Sequence, residues 1–302
     1  MHNKLMKKKT KRILFYFSVL IFIVLSFLLV LFALGYRYDF VQNKFFSTGS
    51  LELKANVAAE VYINDELAGS TSFLSNSFSK GRLLPRTYNV RVQNEKYQLW
   101  HKLVKVEAGF LVSFPRVVLL PQDFESEVVA SSSAGVITIR RFEPEKGLAV
   151  LGNKQKLEAI NLKSGEVKAI KTPLPTPSPV SRVENGITNI ISPDDNKNAW
   201  FNEHELWVKW IKDSGYQPYK LAGDTELITR FSQKIEDANW YKDSEHLMAN
   251  VGGILKFIEI DDRGGINIFD IAAITGPFYY DRNQDAIFKF EGNKLVRIYL
   301  SK

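Results

Sequence analysis

The chain has 302 residues, which is enough for a membrane anchor and one or two folded domains. It carries 40 lysines and arginines against 33 acids but no cysteine, which excludes disulfides, cysteine-ligated zinc and thiol catalysis. Six of the cations precede residue 13 and the rest of the chain is nearly neutral, so the electrostatic argument for a nucleic-acid partner fails.

The first predicted element is a transmembrane helix at 13–34, a run of 22 residues without a charge, proline or glycine. As a helix it would span about 33 Å, sufficient for the hydrocarbon core of a bilayer. A cleavable signal peptide is one alternative, since Ala33-Leu34-Gly35 has the small-x-small pattern, but the apolar run is longer than such peptides use. A buried helix of a soluble protein is the other.

The charge around this helix predicts its orientation. The positive-inside rule keeps the basic tail, residues 1–12, in the cytoplasm and sends the rest of the chain across the cell membrane. The segment 35–47 is then a juxtamembrane linker, in which Tyr36, Tyr38 and Phe40 suit the outer interfacial belt. The cations of the tail are Lys4, Lys7, Lys8, Lys9, Lys11 and Arg12.

Beyond the linker, short β-branched and aromatic runs predict five strands between residues 48 and 121. In TYNVRV, for example, Tyr88, Val90 and Val92 alternate with polar residues, which is typical of a strand with one buried face. Five strands in about 75 residues indicate a small antiparallel sandwich or barrel. The predicted strands are 50–55, 60–64, 87–92, 98–106 and 110–120.

This stretch resembles the PEGA module, a small β-sandwich of bacterial surface proteins. The matching positions are Val61-Tyr62-Ile63-Asn64, Gly69 with Thr71, Leu83 with Pro85 and Tyr88, and Tyr97 with Trp100. Asp65 and Arg86 stand where the module usually has glycine, and 75–80 looks like a small insertion. The resemblance implies turn and core positions and no active site.

Residues 122–302 contain an internal repeat. Each copy has an acid three residues after its start, then a polar stretch and two apolar strands separated by a turn. The copies begin at Phe142, Ile191, Trp240 and Phe278, at periods of 49, 49 and 38 residues, and their acids are Glu145, Asp194, Asp243 and Asp281. Further strands are expected at 167–172, 226–231 and 266–272.

Periods of about 40–50 residues are typical of β-propeller blades. The steps S-P-D-D at 192–195 and W-Y-K-D-S at 240–244 resemble the repeats of TolB-like propellers, which implies about four blades. The expected fold is therefore an all-β ectodomain on a single N-terminal transmembrane helix, with a small PEGA-like β-sandwich at 48–121 and a β-propeller-like repeat region at 122–302.

The last copy ends without an outer strand, which would leave an exposed edge. We expect 124–130 (FESEVVA) to pair beside 294–300 and close a four-bladed ring. An open stack of blades is the alternative, and the insert 172–179 (TPLPTPSP) after the first copy favours it.

The strongest candidate metal site is SPDDNKNAWFNEHE, in which Asp194, Asn196, Asn198 and Glu205 have the spacing of a calcium loop. Ala199 replaces the glycine that such a loop needs, and strands rather than helices flank it. The other copies share only the acid. We therefore expect a turn in which the Asp194 carboxylate accepts backbone N–H groups.

Other candidate sites have structural interpretations as well. His101, His204 and His246 lack metal-ligand spacing. The loop 131–135 (SSSAG) lacks the glycine of a nucleophile elbow and is expected to be flexible. Asp261 and Asp262 could act together as a general acid and base in catalysis, but a hairpin turn containing the glycines that follow them is the better interpretation. Trp200, Trp207, Trp210 and Trp240 are either blade core or a glycan platform, and the sequence favours core.

Two function classes remain. The first is a membrane-anchored, non-catalytic surface protein whose propeller binds an extracytoplasmic protein or an envelope polymer. The second is an ectoenzyme with a hydrolytic site in the propeller mouth. No convergent titratable groups occur at a recognisable spacing, so we expect no catalytic, cofactor-binding or metal-binding residues, and no cofactor. A sensor that signals inward is disfavoured by the short predicted tail.

Overall fold

A computed structural model describes residues 8–153, 155–170, 182–184 and 187–301. Within them the protein consists of β-strands and one long N-terminal helix. The first part of the predicted basic tail and the TPLPTPSP insert lie outside the described residues.

The helix α1 spans Lys8–Ala33 and contains all but the last residue of the predicted 13–34 run. None of its residues is buried, and its mean hydropathy is 3.0 over the most apolar window. Among the described helices it is the one long and apolar enough to cross a bilayer. The chain therefore carries one candidate membrane anchor, at its N-terminus.

The chain divides into two compact units. The first unit contains residues 1–52, 79–88 and 104–113, and the second contains 53–78, 89–103 and 114–302. The domain boundaries expected from the sequence, 48–121 and 122–302, stay a prediction.

Between residues 8 and 117 the structure contains nine strands. A two-stranded sheet pairs β1 with β2, a three-stranded sheet has the order β6-β3-β9, and a four-stranded sheet has the order β5-β4-β7-β8. The strands are β1 Tyr36–Asp39, β2 Lys44–Ser47, β3 Gly49–Ala55, β4 Glu60–Ile63, β5 Glu66–Ser70, β6 Ser77–Leu83, β7 Thr87–Gln93, β8 Trp100–Lys105 and β9 Leu111–Val117.

Several of these strands differ from the sequence prediction. The expected linker contains the hairpin β1–β2, and the expected insertion at 75–80 contains most of β6. The strand β6 was missed because its middle residues, Ser79 to Arg82, are all exposed and show no alternation. The strand β5 shows no buried face in the sequence, since three of its five residues are exposed and none is buried. The hairpin β4–β5 turns through Asn64 and Asp65, which both have positive φ, so Asp65 takes the place of a turn glycine.

Seventeen strands follow in the described part of the repeat region. They are β10 Ser126–Ser131, β11 Ile139–Glu143, β12 Leu148–Gly152, β13 Leu157–Asn161, β14 Val167–Ile170, β15 Arg182–Glu184, β16 Ile187–Ile191, β17 Lys197–Phe201, β18 Glu205–Trp210, β19 Thr225–Arg230, β20 Ile235–Trp240, β21 His246–Val251, β22 Ile254–Glu259, β23 Ile268–Ala273, β24 Phe278–Asp281, β25 Ala286–Glu291 and β26 Lys294–Tyr299.

These strands form four antiparallel sheets, one for each copy of the repeat. Their orders are β11-β12-β13-β14, β15-β16-β17-β18-β19, β20-β21-β22-β23 and β10-β26-β25-β24. In the second and third copies the first residue ends a strand and the aspartate lies in the following turn, whereas in the fourth copy the first residue begins β24 and the aspartate ends it. In the first copy Phe142 lies one residue before the end of β11, and Glu145 lies in the turn that follows. In every copy two paired strands come next. The repeat predicted from the sequence is therefore confirmed at the level of strands and sheets.

The last sheet is completed by an early strand. In the register of β10 against β26, Ser126 lies opposite Ile298 and Val128 opposite Val296. The pairing expected for 124–130 is thus confirmed. It covers the edge that β26 would otherwise expose.

Three hydrophobic clusters pack neighbouring sheets of the second unit together. The first joins the third and fourth sheets through Phe257 and Tyr280. Another joins the second and third sheets through Val208 and Trp240. The last joins the fourth and first sheets through Phe290 and Leu151. Each sheet is apolar on faces that meet a neighbour, which is why β21 is buried along its whole length.

Candidate binding surface

The segment that resembles a calcium loop is a turn between β16 and β17. The Asp194 carboxylate accepts hydrogen bonds from the Asn196 backbone N–H (3.2 Å), the Asn196 side-chain amide (3.1 Å) and the Ser192 hydroxyl (2.6 Å). Asn198 bonds to Asn189 instead, and Glu205 lies on the next strand. The turn is as predicted, and the carboxylates of Asp194 and Glu205 accept hydrogen bonds from different protein groups.

The repeated acid has the same role in two other copies. Asp243 accepts the backbone N–H groups of Glu245 (2.9 Å) and His246 (3.1 Å), and Asp281 accepts those of Asn283 and Gln284. Glu145 lies instead in a short 3-10 turn. A short carboxylate that caps a turn explains why the acid recurs.

A buried polar network surrounds the third copy of the turn. Lys197 Nζ lies 2.6 Å from Glu245 Oε1, and the Tyr216 hydroxyl donates to the same oxygen. Burial raises the pKa of Glu245, and the Lys197 charge offsets this only in part. Burial and the Glu245 charge raise the pKa of Tyr216. The hydrogen bond between Tyr216 and Glu245 therefore holds both side chains in place.

His246 belongs to the same network. Its Nδ1 lies 2.7 Å from Asp243 Oδ2, and its ring stacks on Phe257 with centroids 4.8 Å apart. Burial lowers the pKa of this imidazole, but the Asp243 carboxylate outweighs burial and raises it overall. Arg116 donates to the Asp243 carbonyl and lies over the Tyr216 ring.

The adjoining part of the network connects β8 with β22. Lys102 Nζ lies 3.1 Å from Glu259 Oε2 and also donates to the carbonyls of Asp261 and Gly265. The Trp100 indole N–H donates to the other Glu259 oxygen (3.3 Å). Every donor of the ammonium group therefore has an acceptor.

The cavity inside this network has a volume of about 20 Å³ and is lined by Arg116, Tyr216, Glu245, His246 and Glu259 among others. A cavity of that size holds about one water molecule. The cavity is too small for a substrate. We therefore interpret Tyr216, Glu245 and His246, whose pKa values are shifted, as a network that stabilises the fold.

Asp261 and Asp262 lie in the loop between β22 and β23, as expected for a hairpin connection. Asp261 forms an ion pair with Arg263 (2.6 Å). Gly264 has φ +71°, and a Cβ there would meet the Leu103 carbonyl oxygen at 2.3 Å. The glycine is therefore required by close backbone approach as well as by the turn.

The serine-rich loop after β10 is more ordered than the sequence predicted. Glu158 accepts hydrogen bonds from the hydroxyls of Ser132 (2.7 Å) and Ser133 (2.6 Å), while Lys156 contacts both Ser133 (2.6 Å) and Glu158 (3.1 Å). Burial alone would raise the Glu158 pKa, but the two hydroxyls lower it to about 2. Lys156, Ser133 and Glu158 therefore form one hydrogen-bonded cluster that holds this loop against β13.

The three candidate histidines are not brought together. His101 is exposed on β8, His204 is exposed before β18, and His246 is buried. Within the described ranges, no group of three or more His, Asp or Glu residues is arranged to hold a metal ion.

The four candidate tryptophans fall into two pairs. Trp210 and Trp240 are core residues, 3% and 0% exposed, and the Trp240 indole donates to the Ile190 carbonyl. Trp200 and Trp207 are half-buried and lie opposite each other on β17 and β18. Their rings are stacked with centroids 6.1 Å apart and planes within 6°. The predicted core role thus holds for one pair only.

A cleft of about 670 Å³ adjoins the second pair, lined by residues 202–205 and 230–232. Trp207 Nε1 donates to Glu205 Oε2 (3.1 Å), and Glu205 also pairs with Arg230 and accepts from Asn202. The bonds from Arg230 lower the Glu205 pKa. Aromatic rings and charged groups therefore adjoin on one half-exposed sheet face, which we name the Trp200–Trp207 surface.

No protein-family model matches the chain, and a search of curated proteins finds no relative. Among solved structures the chain is similar to Hsv2 from Kluyveromyces lactis, with 8% identity over 70% of this chain and 60% of that one, at TM-score 0.26. It is also similar to the extracellular domain of a hybrid two-component system from B. thetaiotaomicron, with 10% identity over 88% of this chain and 31% of that one, at TM-score 0.29. A TolB-type protein from Agrobacterium tumefaciens gives 11% identity over 80% and 78%, at TM-score 0.25.

The chain thus spans less than two thirds of the first two of these proteins. At such TM-scores the similarities establish neither a shared function nor a shared partner.

Proposed function

We propose that this chain is a single-pass membrane protein whose β-rich part lies outside the cytoplasm and binds an envelope polymer without catalysis. The N-terminus faces the cytoplasm in this proposal. Support comes from the apolar helix α1, from the cations on its N-terminal side and from the Trp200–Trp207 surface.

In the finer form of the proposal, 48–121 is a PEGA-like module and 122–302 is a β-propeller-like region. The positive-φ turn at Asn64 and Asp65 supports the first assignment, because the module's hairpin needs that backbone. Four sheets with one repeat copy each, together with the β10–β26 pairing, support the second.

The observation that carries the binding proposal is the stacked, half-exposed pair Trp200 and Trp207 beside a polar cleft. An indole face packs well against the C–H face of a sugar ring, because both are apolar. The cleft groups Asn202, Glu205 and Arg230 can then bond to sugar hydroxyls. A polysaccharide offers both kinds of surface, and aromatic side chains that become buried on binding often contribute most of the binding energy.

The test is sedimentation of the full-length protein, in detergent micelles, with insoluble peptidoglycan. We expect Trp207→Ala to weaken binding about tenfold, which corresponds to about 1.4 kcal/mol. Tyr219→Ala is the matched control, since Tyr219 is an exposed aromatic outside this surface. Equal binding of both variants, or capture of a soluble protein instead of the polymer, would refute the assignment.

The orientation has its own test. Protease added to intact spheroplasts should digest the chain beyond residue 40, because the cations before the apolar run 13–34 keep the N-terminus inside. If the β-rich part is fully protected from the protease, the proposed orientation is wrong, and so is the proposed role at the cell surface.

A further inference from the structure

The end of α1 is tied into the β-structure of the first unit. Gly35 follows the helix with φ +81°, and its N–H donates to the Phe32 carbonyl. The Gly35 carbonyl accepts two hydrogen bonds from Thr48, one from the backbone N–H (3.0 Å) and one from the hydroxyl (2.7 Å). The helix therefore continues directly into a hydrogen-bonded hairpin.

A second contact between the end of α1 and the β-structure of the first unit involves β6. The Arg82 guanidinium lies 3.9 Å from the centroid of the Phe32 ring, and the Arg82 carbonyl accepts a hydrogen bond from Arg37. A cation over an aromatic ring at this distance is attractive, more so where water is scarce. The last turn of α1 thus contacts a strand far away in sequence.

A third contact near the end of α1 involves the loop before β9. The Thr48 carbonyl accepts the Gly109 N–H (3.1 Å), and the Phe110 carbonyl accepts the Ser50 N–H (3.0 Å). Phe110 therefore lies beside the same residue, Thr48, that is bonded to the helix end. Its side chain is 65% exposed.

The tip of the β1–β2 hairpin also presents apolar groups. Phe40 and Val41 are 83% and 84% exposed. The buried Asp39 carboxylate accepts the Val41 and Gln42 N–H groups and thereby fixes the turn. Tyr38 packs edge-to-face on Phe40 and Phe45, with centroids 5.1 and 5.0 Å away.

We propose that Phe40 and Val41 at the hairpin tip, and Phe110 near the end of α1, are a lipid-contacting surface in the interfacial layer of the bilayer that α1 crosses, each side chain contacting lipid separately. The proposal rests on the proposed membrane span. The lipid bilayer is the occupant that fits, because Phe40 and Val41 closely follow an exposed apolar helix along the chain. Phe110 is next to Gly109, which bonds to Thr48, and Thr48 bonds to Gly35 at the helix end. Aromatic side chains favour the membrane interface, and Arg37 and Lys44 on the same hairpin suit anionic headgroups.

The absence of cysteine makes a site-specific test simple. Single-cysteine variants of the full-length protein, V41C and F110C, are labelled with an environment-sensitive fluorophore and reconstituted into vesicles of phosphatidylcholine and phosphatidylglycerol. L20C, in α1, reports whether the helix is inserted. L74C is the control, because Leu74 is an apolar side chain that is 94% exposed on the loop before β6.

We expect iodide to quench the labels at 41 and 110 at least threefold less than the label at 74, with blue-shifted emission at both. Quenching at 41 and 110 equal to that at 74, with the label at 20 protected, overturns the lipid-contacting surface and leaves the membrane span intact. A label at 20 that iodide quenches freely overturns both proposals.

Discussion

Lys102 Nζ lies 3.1 Å from Glu259 Oε2, and both side chains are buried. The two residues are far apart in sequence, on β8 and β22, and Trp100 donates to the same carboxylate. Ion pairs of this kind stabilise a fold less than their Coulomb attraction implies, since both charges lose their hydration, but removing one partner is costly.

We therefore expect Lys102→Met to lower the free energy of unfolding by about 3–5 kcal/mol, because it leaves the Glu259 charge unpaired. Chemical denaturation of the full-length protein in detergent measures this. The double variant K102M/E259Q should recover part of the loss. Lys105→Met is the matched control, since the Lys105–Glu107 pair is exposed and contributes little. Equal effects of the two lysine substitutions would contradict the prediction.

Stability should also fall as the pH rises through the His246 pKa. Asp243, aided by the charges of Glu259 and Glu245, raises that pKa above its unfolded value of about 6.5, despite burial. A raised pKa means that the folded state binds the proton more tightly, so this stabilisation is complete below about pH 6.5 and is lost above it. Thermal melts from pH 6 to pH 9 should show the decline, and His246→Gln should flatten it. An unchanged slope in the variant would assign the decline to other groups.

The loss of stability at acidic pH should depend on Glu158. Its pKa falls from 4.5 to about 2 because the Ser133 and Ser132 hydroxyls outweigh burial. A lowered pKa gives stability that is present above about pH 4.5 and lost as the pH falls towards 2. The double variant S132A/S133A should lose part of this pH dependence, measured as the melting temperature between pH 5 and pH 2. Ser131→Ala, one residue earlier and exposed, should leave it unchanged.

The pairing of β10 with β26 can be tested by a disulfide. Val128 lies opposite Val296, and the bond from the Tyr299 N–H to the Glu125 carbonyl makes this a non-hydrogen-bonded pair, with Cα atoms about 4.5 Å apart. V128C/V296C should therefore cross-link on oxidation, detected by a mobility shift without reductant. V129C/V296C is the control, since Val129 is the unpaired residue of the bulge. Cross-linking of both pairs alike, or of neither, would contradict the register.

Calcium should not change the melting temperature, because the oxygens of Asp194 and Glu205 already bond to protein groups and lie on separate elements. A ligand that binds only the folded state must raise that temperature. A calcium-dependent rise that Asp194→Ala abolishes would restore the metal site.

The sequence by itself determined the local elements that a strong pattern encodes. The apolar run at 13–34 could only be buried in protein or lipid, and its length gave the helix α1. The aspartates of the last three copies marked the turns, because a short carboxylate that accepts backbone N–H groups is needed at the same place each time. The pairing of the strand at 124–130 could also be predicted, because the last strand of the fourth copy had no partner on its outer side.

Only the tertiary structure decided which side chains meet. The sequence favoured a core position for all four candidate tryptophans, yet Trp240 is fully buried and Trp200 is only half-buried. Likewise β6 is held by its backbone partners and has no alternating pattern to reveal it. Lys102 on β8 and Glu259 on β22 carry no local signal of their pairing, because burial and ion pairing over such a separation depend on packing, which no short window of sequence contains.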